Sequence, residues 1–323
     1  MLQIGDQFDH FQIRAHLAQG GMSDIYRAYD LLSGKEVVLK IPNRASIGDP
    51  AQYERFQREL DVMKTLDHPA IQKGVGSGQF NVTPYLVTEL IAGESMREFV
   101  RKNAPMPAGE AIRLIKKIAD GLAHCHEHEI IHRDIKPENI LISPEGEPII
   151  LDFGLALTKT AYRVTYANLS GAAGTPDYMA PEQIEGHRGD KRTDVYALGT
   201  MLFEMLSGHL PFEGDNQMVV MSLHLQGTVP RLDQEGKGIS PQLAAVVARA
   251  MQRNPEERCP DMPSLIYDLE HLEAIDISIL DRVEAPSQEL PFWRSPFFVS
   301  VLMALVVLLV LIVIAFGLQA LHK

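Results

Sequence analysis

Cysteine is scarce: the 323 residues hold two, Cys125 and Cys259, far apart in the chain. That excludes a disulfide framework and suits a reducing compartment. Basic residues are outnumbered as well, 30 Lys and Arg against 42 Asp and Glu, for a formal net charge of −12. Sequence-independent nucleic-acid binding needs a basic footprint, so no nucleic-acid partner is expected. The first ten residues have neither the basic start nor the apolar run of a secretory signal. Internal repeats and low-complexity tracts are lacking. Long uncharged apolar runs are lacking too, apart from residues 297–318. The length allows about two domains.

What is present is a dense string of polar residues, His132-Arg133-Asp134-Ile135-Lys136-Pro137-Glu138-Asn139, with Asp152-Phe153-Gly154 behind it. Ile149-Ile150-Leu151 reads as a buried strand ending at Asp152, and Ile140-Leu141-Ile142 as its partner across a Ser143-Pro144-Glu145-Gly146 turn. Such a hairpin brings Asn139 and Asp152 together. A proton acceptor and two magnesium-binding side chains in one short stretch have the spacing that phosphoryl transfer requires. An isolated His-Arg-Asp triplet means little, but the full string followed by Asp-Phe-Gly is specific.

On these residues the chain resembles the eukaryotic-like serine/threonine protein kinases of bacteria, over about residues 8–272. The resemblance implies an α+β, bilobal protein kinase fold, with a small β-rich N-lobe (1–91) and a large, mainly α-helical C-lobe (92–273). Helices are expected at 111–128, 194–207, 241–253 and 262–272. It further implies ATP and Mg²⁺, with Mn²⁺ as the alternative ion, and protein substrates modified on serine or threonine.

The remaining motifs fall in that family's order. Residues 17–26 look like the glycine-rich loop, so Leu17, Ala18, Gly20, Gly21 and Ile25 are expected around the ATP phosphates. Val37-Val38-Leu39 alternates as a strand into Lys40, which resembles the ATP-positioning lysine. Residues 50–66 carry Tyr53, Phe56, Leu60, Met63 and Leu66 at helical spacing. Glu59 matches the glutamate that pairs with this lysine, and Glu54 on the same helix is the competing partner. Residues 89–93 resemble the hinge between lobes, with Glu89 and Ile91 as main-chain adenine contacts and Thr88 guarding the back of the pocket.

By the same resemblance Asp134 accepts or orients the substrate's hydroxyl proton, Lys136 neutralises the transferred group, and Asn139 and Asp152 hold the metal. Lys136 with Thr175 looks like the serine/threonine-specific arrangement. Glu182, in Ala180-Pro181-Glu182, matches the glutamate of a structural ion pair with Arg258. Asp194 resembles the buried helix aspartate that supports the catalytic-loop backbone. Arg133 implies activation by loop phosphorylation, with Thr158, Thr160, Thr165 and Ser170 as candidates ahead of Tyr162 and Tyr166.

Two positions depart from the pattern. Ala18 and Ser23 stand where the family has loop glycines, which would stiffen the loop and lower turnover. A membrane-tethered scaffold without catalysis and a small-molecule kinase of related fold are the alternatives, opposed by the complete catalytic set and by the activation segment respectively. His124-Cys125-His126-Glu127-His128 has metal-like spacing but sits at the end of an amphipathic helix, where packing is the expected role.

Residues 297–318 are 22 residues without a charge. As a helix they would span roughly 33 Å, enough to cross the hydrocarbon core. A single-pass transmembrane helix is therefore expected, contacting the lipid bilayer of the inner (cytoplasmic) membrane. It would follow a juxtamembrane tether (274–296) containing Pro286, Pro291 and Pro296, and precede a short tail (319–323) with no sensor domain beyond. One strong charge on each flank leaves the topology undecided by charge, but the need for cytosolic ATP places the kinase domain on the cytoplasmic side. A homodimer for trans-autophosphorylation is a further expectation, though the helix has no small-xxx-small pattern to support it.

Overall fold

Period-two alternation builds the N-terminal sheet. Phe11 and Ile13 on β2 (Phe11–Gln19), Tyr26 and Ala28 on β3 (Ser23–Asp30), and Val37 and Leu39 on β4 (Lys35–Pro42) all turn to one face and are buried. In the computed structural model, which describes residues 1–283 apart from 20–22, 44–45, 47–48, 157–175 and 236–237, these strands belong to a six-stranded antiparallel sheet. Its order is β1-β2-β3-β4-β6-β5, where β1 is Gln7–Phe8, β5 Gly74–Phe80 and β6 Thr83–Glu89. Register irregularities in β2 between Ile13 and Ala15, and between His16 and Ala18, bend the strand toward its tip.

The register sets up the chemistry. Ala18 lies opposite Ile25, Ile25 opposite Lys40, and Lys40 opposite Leu86. Directly paired residues share a face, so Ala18, Ile25 and Lys40 form one row on the side away from the Phe11–Val87 core. Helix α1 (Pro50–Thr65) follows, burying Phe56, Leu60 and Met63 together with the carboxylate of Glu59.

After β6 the chain enters a helical layer. Gly93, at φ 152, passes so close to the Ile142 carbonyl that an added Cβ would lie 2.2 Å from its oxygen, so only glycine fits. Strand β7 (Glu94–Ser95) pairs with β8 (Ile140–Ile142), which pairs with β9 (Pro148–Ile150). Helix α2 (Met96–Asn103) starts at Ser95, whose hydroxyl accepts the Glu98 N–H at 3.2 Å. Helix α3 (Ala108–Glu127) buries Ala111, Leu114, Ile115, Ile118, Leu122 and Cys125 along one stripe.

Helix α4 (Pro181–Ile184) leads to α5 (Lys191–Ser207), which is buried from Thr193 to Ser207 on every side. It starts at Asp190, whose side chain caps the Arg192 N–H, and stops at left-handed Gly208. α6 (Gln217–Gln226), α7 (Pro241–Ala250) and α8 (Met262–Glu270) complete the layer, and α3, α5 and α7 pack on one another or on α8.

The helix expected at 241–253 stops at Ala250, and that at 262–272 stops at Glu270 before a short turn, Leu272–Ala274. The compact unit runs on to Val283. Within the stretch expected as tether, α9 (Ile279–Val283) inserts Leu280, 2% exposed, against α7. Among the described residues no helix is long and apolar enough to cross a membrane, and the predicted span 297–318 lies outside them.

Candidate active site

Lys40 is the point where sheet, helix and hairpin meet. Its Nζ lies 2.6 and 2.7 Å from the two Glu59 carboxylate oxygens and 3.2 Å from Asp152 Oδ1. Glu54 is exposed on the other side of α1 and takes no part. Burial disfavours the Lys40 charge, but the Asp152 and Glu59 carboxylates outweigh it and hold the ammonium above its ordinary value. Burial pushes Glu59 up, to about 7, against the pull of Lys40. Burial also opposes ionisation of Asp152, yet Lys40 and the Gly154 N–H keep it anionic, at about 2. Its side chain is 43% exposed.

The β8–β9 hairpin makes the second cluster. The Leu151 N–H donates to the Asn139 carbonyl at 2.8 Å, which fixes Asn139 beside the strand that delivers Asp152. Lys136 Nζ lies 2.9 and 2.8 Å from the Asp134 oxygens. Asn139 Nδ2 donates to the Asp134 carbonyl at 2.7 Å and to Asp134 Oδ2 at 2.9 Å. Burial raises the Asp134 carboxyl above the ordinary range in spite of Lys136, which makes it a better proton acceptor.

Two of these residues sit in left-handed backbone: Arg133 at φ 68 and Asp152 at φ 56. For non-glycine residues that costs about 1–3 kcal/mol each, so the surroundings must enforce it. Asp194 enforces the first. Its buried carboxylate accepts the His132 N–H at 3.0 Å and the Arg133 N–H at 2.8 Å, and meets His126 Nε2 at 2.8 Å. Gln183 Nε2 donates to the Arg133 carbonyl at 2.9 Å, so the turn is held from both sides. Glu182 in turn is clamped by Arg258 through two bonds of 2.8 and 2.7 Å.

Asn139 and Asp152 suit a hard divalent cation. With the Asn139 amide nitrogen engaged by Asp134, its oxygen is the free ligand atom, and Asp152 stays ionised. Among the described residues no group of three or more His, Cys, Asp or Glu could hold a metal by itself. Two protein oxygens fit a magnesium-type ion that takes its other ligands from phosphates and water. His124 instead packs against other rings: His68 stacks on it with centroids 5.2 Å apart, and His128 lies tilted against it at 4.5 Å.

At the hinge, the Glu89 N–H donates to the Lys73 carbonyl at 3.1 Å and its carbonyl accepts from Gln72 at 3.0 Å, keeping one lone pair. Ile91 follows, half-buried, and Thr88 is buried behind them. Leu17 and Ala18 are exposed near the strand tip, with Ala18 opposite Ile25. Gly20, Gly21, Thr158, Thr160, Thr165, Ser170 and Thr175 lie outside the described residues. A cavity of about 610 Å³ between Asp67, Lys73, Leu90, Pro144 and Ile149 shares only Glu89 and Ile91 with the expected site residues and contains none of the charged clusters.

Sequence reasoning missed Arg97, His126 and Gln183. Arg97 donates to Glu138 at 2.7 Å, Glu204 at 2.6 Å and Tyr178 at 2.8 Å. The nearest of those partners is 41 residues away in sequence, so no local pattern marks it. His126 was legible only as a helix-end residue.

Comparison with known proteins agrees with this geometry. Residues 11–266 match the protein kinase domain family. The chain is 35% identical over 277 residues to serine/threonine-protein kinase PknL of Mycobacterium tuberculosis, covering 85% of this chain and 69% of that protein. It is 33% identical over 310 residues to serine/threonine-protein kinase PknB of Mycolicibacterium smegmatis, covering 88% and 49% respectively. It is also 33% identical over 279 residues to serine/threonine-protein kinase PrkC of Bacillus subtilis, covering 86% and 42%. The chain thus spans less than half the length of the last two.

Proposed function

Because the chain belongs to the protein kinase family, we propose that it is a membrane-anchored signalling enzyme that phosphorylates proteins and its own activation segment. It is an ATP-dependent protein serine/threonine kinase, and the family implies a nucleotide, a divalent metal and protein substrates.

In this reading Asp134 takes the proton of a serine or threonine hydroxyl as that oxygen attacks the γ-phosphorus. The bond to the bridging oxygen breaks and ADP leaves. Lys136, already within 2.9 Å of Asp134, follows the charge on the transferred group. Lys40, fixed by Glu59, holds the α and β phosphates, while Leu17, Ala18 and Ile25 bound the nucleotide beside Gly20 and Gly21. Mg²⁺, or Mn²⁺ in its place, would be held by Asn139 and Asp152 and would neutralise phosphate charge. The main-chain groups of Glu89 and Ile91 take the adenine edge. The observation that carries this reading is the complete charge set, with Lys40 between Glu59 and Asp152 and Lys136 on Asp134.

Arg133 is the reason to expect regulation. A phosphate on Thr158, Thr160, Thr165 or Ser170 brings close to two negative charges to a segment whose basic neighbour precedes Asp134. Thr175 with Lys136 supports the choice of serine and threonine. The 22 uncharged residues at 297–318 support a single pass through the cytoplasmic membrane, with the kinase domain on the ATP side and a homodimer as the arrangement for phosphorylation in trans.

The test is incubation of the full chain with labelled ATP and Mg²⁺ beside Asp134→Asn, followed by phosphosite mapping. Label on Thr or Ser between Asp152 and Glu182 is expected, with a fall of about 10²–10⁴-fold in the variant. Bound ATP with no transfer to any protein would leave a scaffold instead. In membrane fractions the chain should resist alkaline extraction, and its release into the wash would remove the anchor from this account.

A further inference from the structure

Three histidine rings meet at a place that the catalytic roles above do not use. His68 is in the loop between α1 and β5, and His124 and His128 lie one turn apart at the C-terminal end of α3. The His68 and His124 rings stack at an interplanar angle of 27°, and His128 Nδ1 bonds the His124 carbonyl at 2.9 Å. His124 Nε2 is buried, with no hydrogen-bond partner among the described residues. Burial first, then His128 and His68, hold this imidazole below its ordinary value, against the pull of Glu127 and Asp67.

The loop under these rings seats β9. The Ala70 N–H donates to His68 Nδ1 at 3.2 Å, so the His68 proton sits on Nε2, 3.3 Å from Asp120 Oδ2. The Ala70 carbonyl accepts the Ile150 N–H at 2.8 Å, and the Gln72 N–H donates to the Ile150 carbonyl at 2.9 Å. Gly121 of α3 packs so tightly here that an added Cβ would lie 3.1 Å from the side chains of both Ala70 and Ile150. Ile150 stands two residues before Asp152. A proton on His68 Nδ1 takes the lone pair that Ala70 uses, and a proton on His124 places a cation between two more imidazoles. The acids nearby are committed or exposed: Asp67 is bonded to Lys73, Asp120 faces His68, and Glu127 is in solvent. Of the elements packed on α3, α8 has Asp268 and Glu270 held by Arg249 and Lys116, α5 has Asp194 held by His126, and β9 carries no charge.

We propose that His68, His124 and His128 form a proton-operated joint, which on acidification releases the loop from β9 and takes Asp152 out of place. The effect on catalysis rests on the kinase reading; the joint itself does not.

Hydrogen exchange in the full chain decides the matter, read at the Ile150 and Gln72 amides and corrected for the intrinsic effect of pH. A histidine freed into water titrates near 6.5, so one proton taken up on opening lowers protection about 10-fold from about pH 7.5 to about pH 5.5, and two lower it further. His68→Asn keeps an acceptor for the Ala70 N–H, because an asparagine side chain bonds backbone two residues on, and His124→Phe keeps a ring in the stack. Each single variant should lose part of the fall, and the double variant should stay within about twofold across the same range. A fall below about twofold in wild type, or one as large as wild type in the double variant or in both single variants, would overturn the joint. Turnover on dephosphorylated casein with ATP and Mg²⁺ at the same pH values should drop more steeply in wild type than in the double variant, since Glu59 and Asp134 titrate in both. Equal drops would overturn the effect on Asp152. A wild type that phosphorylates nothing would overturn the kinase reading and leave the exchange result to decide the joint.

Discussion

Two buried glutamates each hold a cation, and the two pairs are built differently. Lys40–Glu59 and Arg258–Glu182 join residues 19 and 76 positions apart, and all four residues are at most 9% exposed. Lys40 presents one atom to three carboxylate oxygens, two from Glu59 and one from Asp152. The cluster is left with more negative than positive charge, and burial pushes Glu59 up to about 7. Arg258 presents a planar fork to both Glu182 oxygens, and its other donors go to the carbonyls of Arg192, Gln252 and Arg253. Thr193 adds a hydroxyl bond to Glu182, and the guanidinium lies 4.9 Å from the centre of the Tyr196 ring. A point charge shared among competitors can exchange partners, and a closed fork cannot. In the proposed reading the first belongs where a nucleotide and metal must enter, the second where a loop must stay.

The comparison breaks most visibly at Arg258. Arg258→Met leaves Glu182 buried without its partner and should destabilise the fold by about 3–5 kcal/mol in denaturant unfolding, with Arg258→Lys recovering less than half. Next comes Lys40→Met, where the expected loss is turnover, about 10²–10³-fold, with a smaller drop in thermal midpoint than Arg258→Met shows. A larger midpoint loss in Lys40→Met would reverse the two assignments.

A third prediction sharpens the closed side. Tyr196, beneath Arg258, bonds His224 at 2.7 Å, and burial pushes that imidazole down to about 4 from 6.5. His224 is therefore neutral in the fold, while the unfolded chain takes up a proton near pH 6.5. Between those two values the unfolded state binds more protons, so stability rises with pH. The contribution is complete above about pH 6.5 and lost by about pH 4, with a ceiling of roughly 3 kcal/mol. His224→Gln should flatten that slope in unfolding measured from pH 7 to pH 4, and an unchanged slope would remove His224 from the account.

Legibility in the sequence followed locality. The Asp134, Asn139 and Asp152 cluster is encoded in one hairpin, and Glu59 in one helix, so period and motif register found them. β5 (Gly74–Phe80) was not found, because Gly74, Gly76 and Gly78 break the alternation and its turn runs through Asn81 and Val82 at positive φ. α6 (Gln217–Gln226) is apolar on several faces and shows almost no amphipathic pattern. Arg97 was invisible for the same reason it is informative: its partners lie 41, 81 and 107 residues away and meet it only in the folded chain. Leu280 lies beyond the last family motif, in a stretch whose prolines and acids read as tether.

The central claim is that the Lys40 cluster serves phosphoryl transfer while the Arg258 clamp serves the fold. The direct measurement is turnover per folded molecule, with ATP and Mg²⁺, for Lys40→Met and Arg258→Met side by side at a temperature where both remain folded. A loss of about 100-fold or more in Lys40→Met, with Arg258→Met within about threefold of wild type, is the predicted result. Equal losses in the two variants, or full turnover in Lys40→Met, would contradict it.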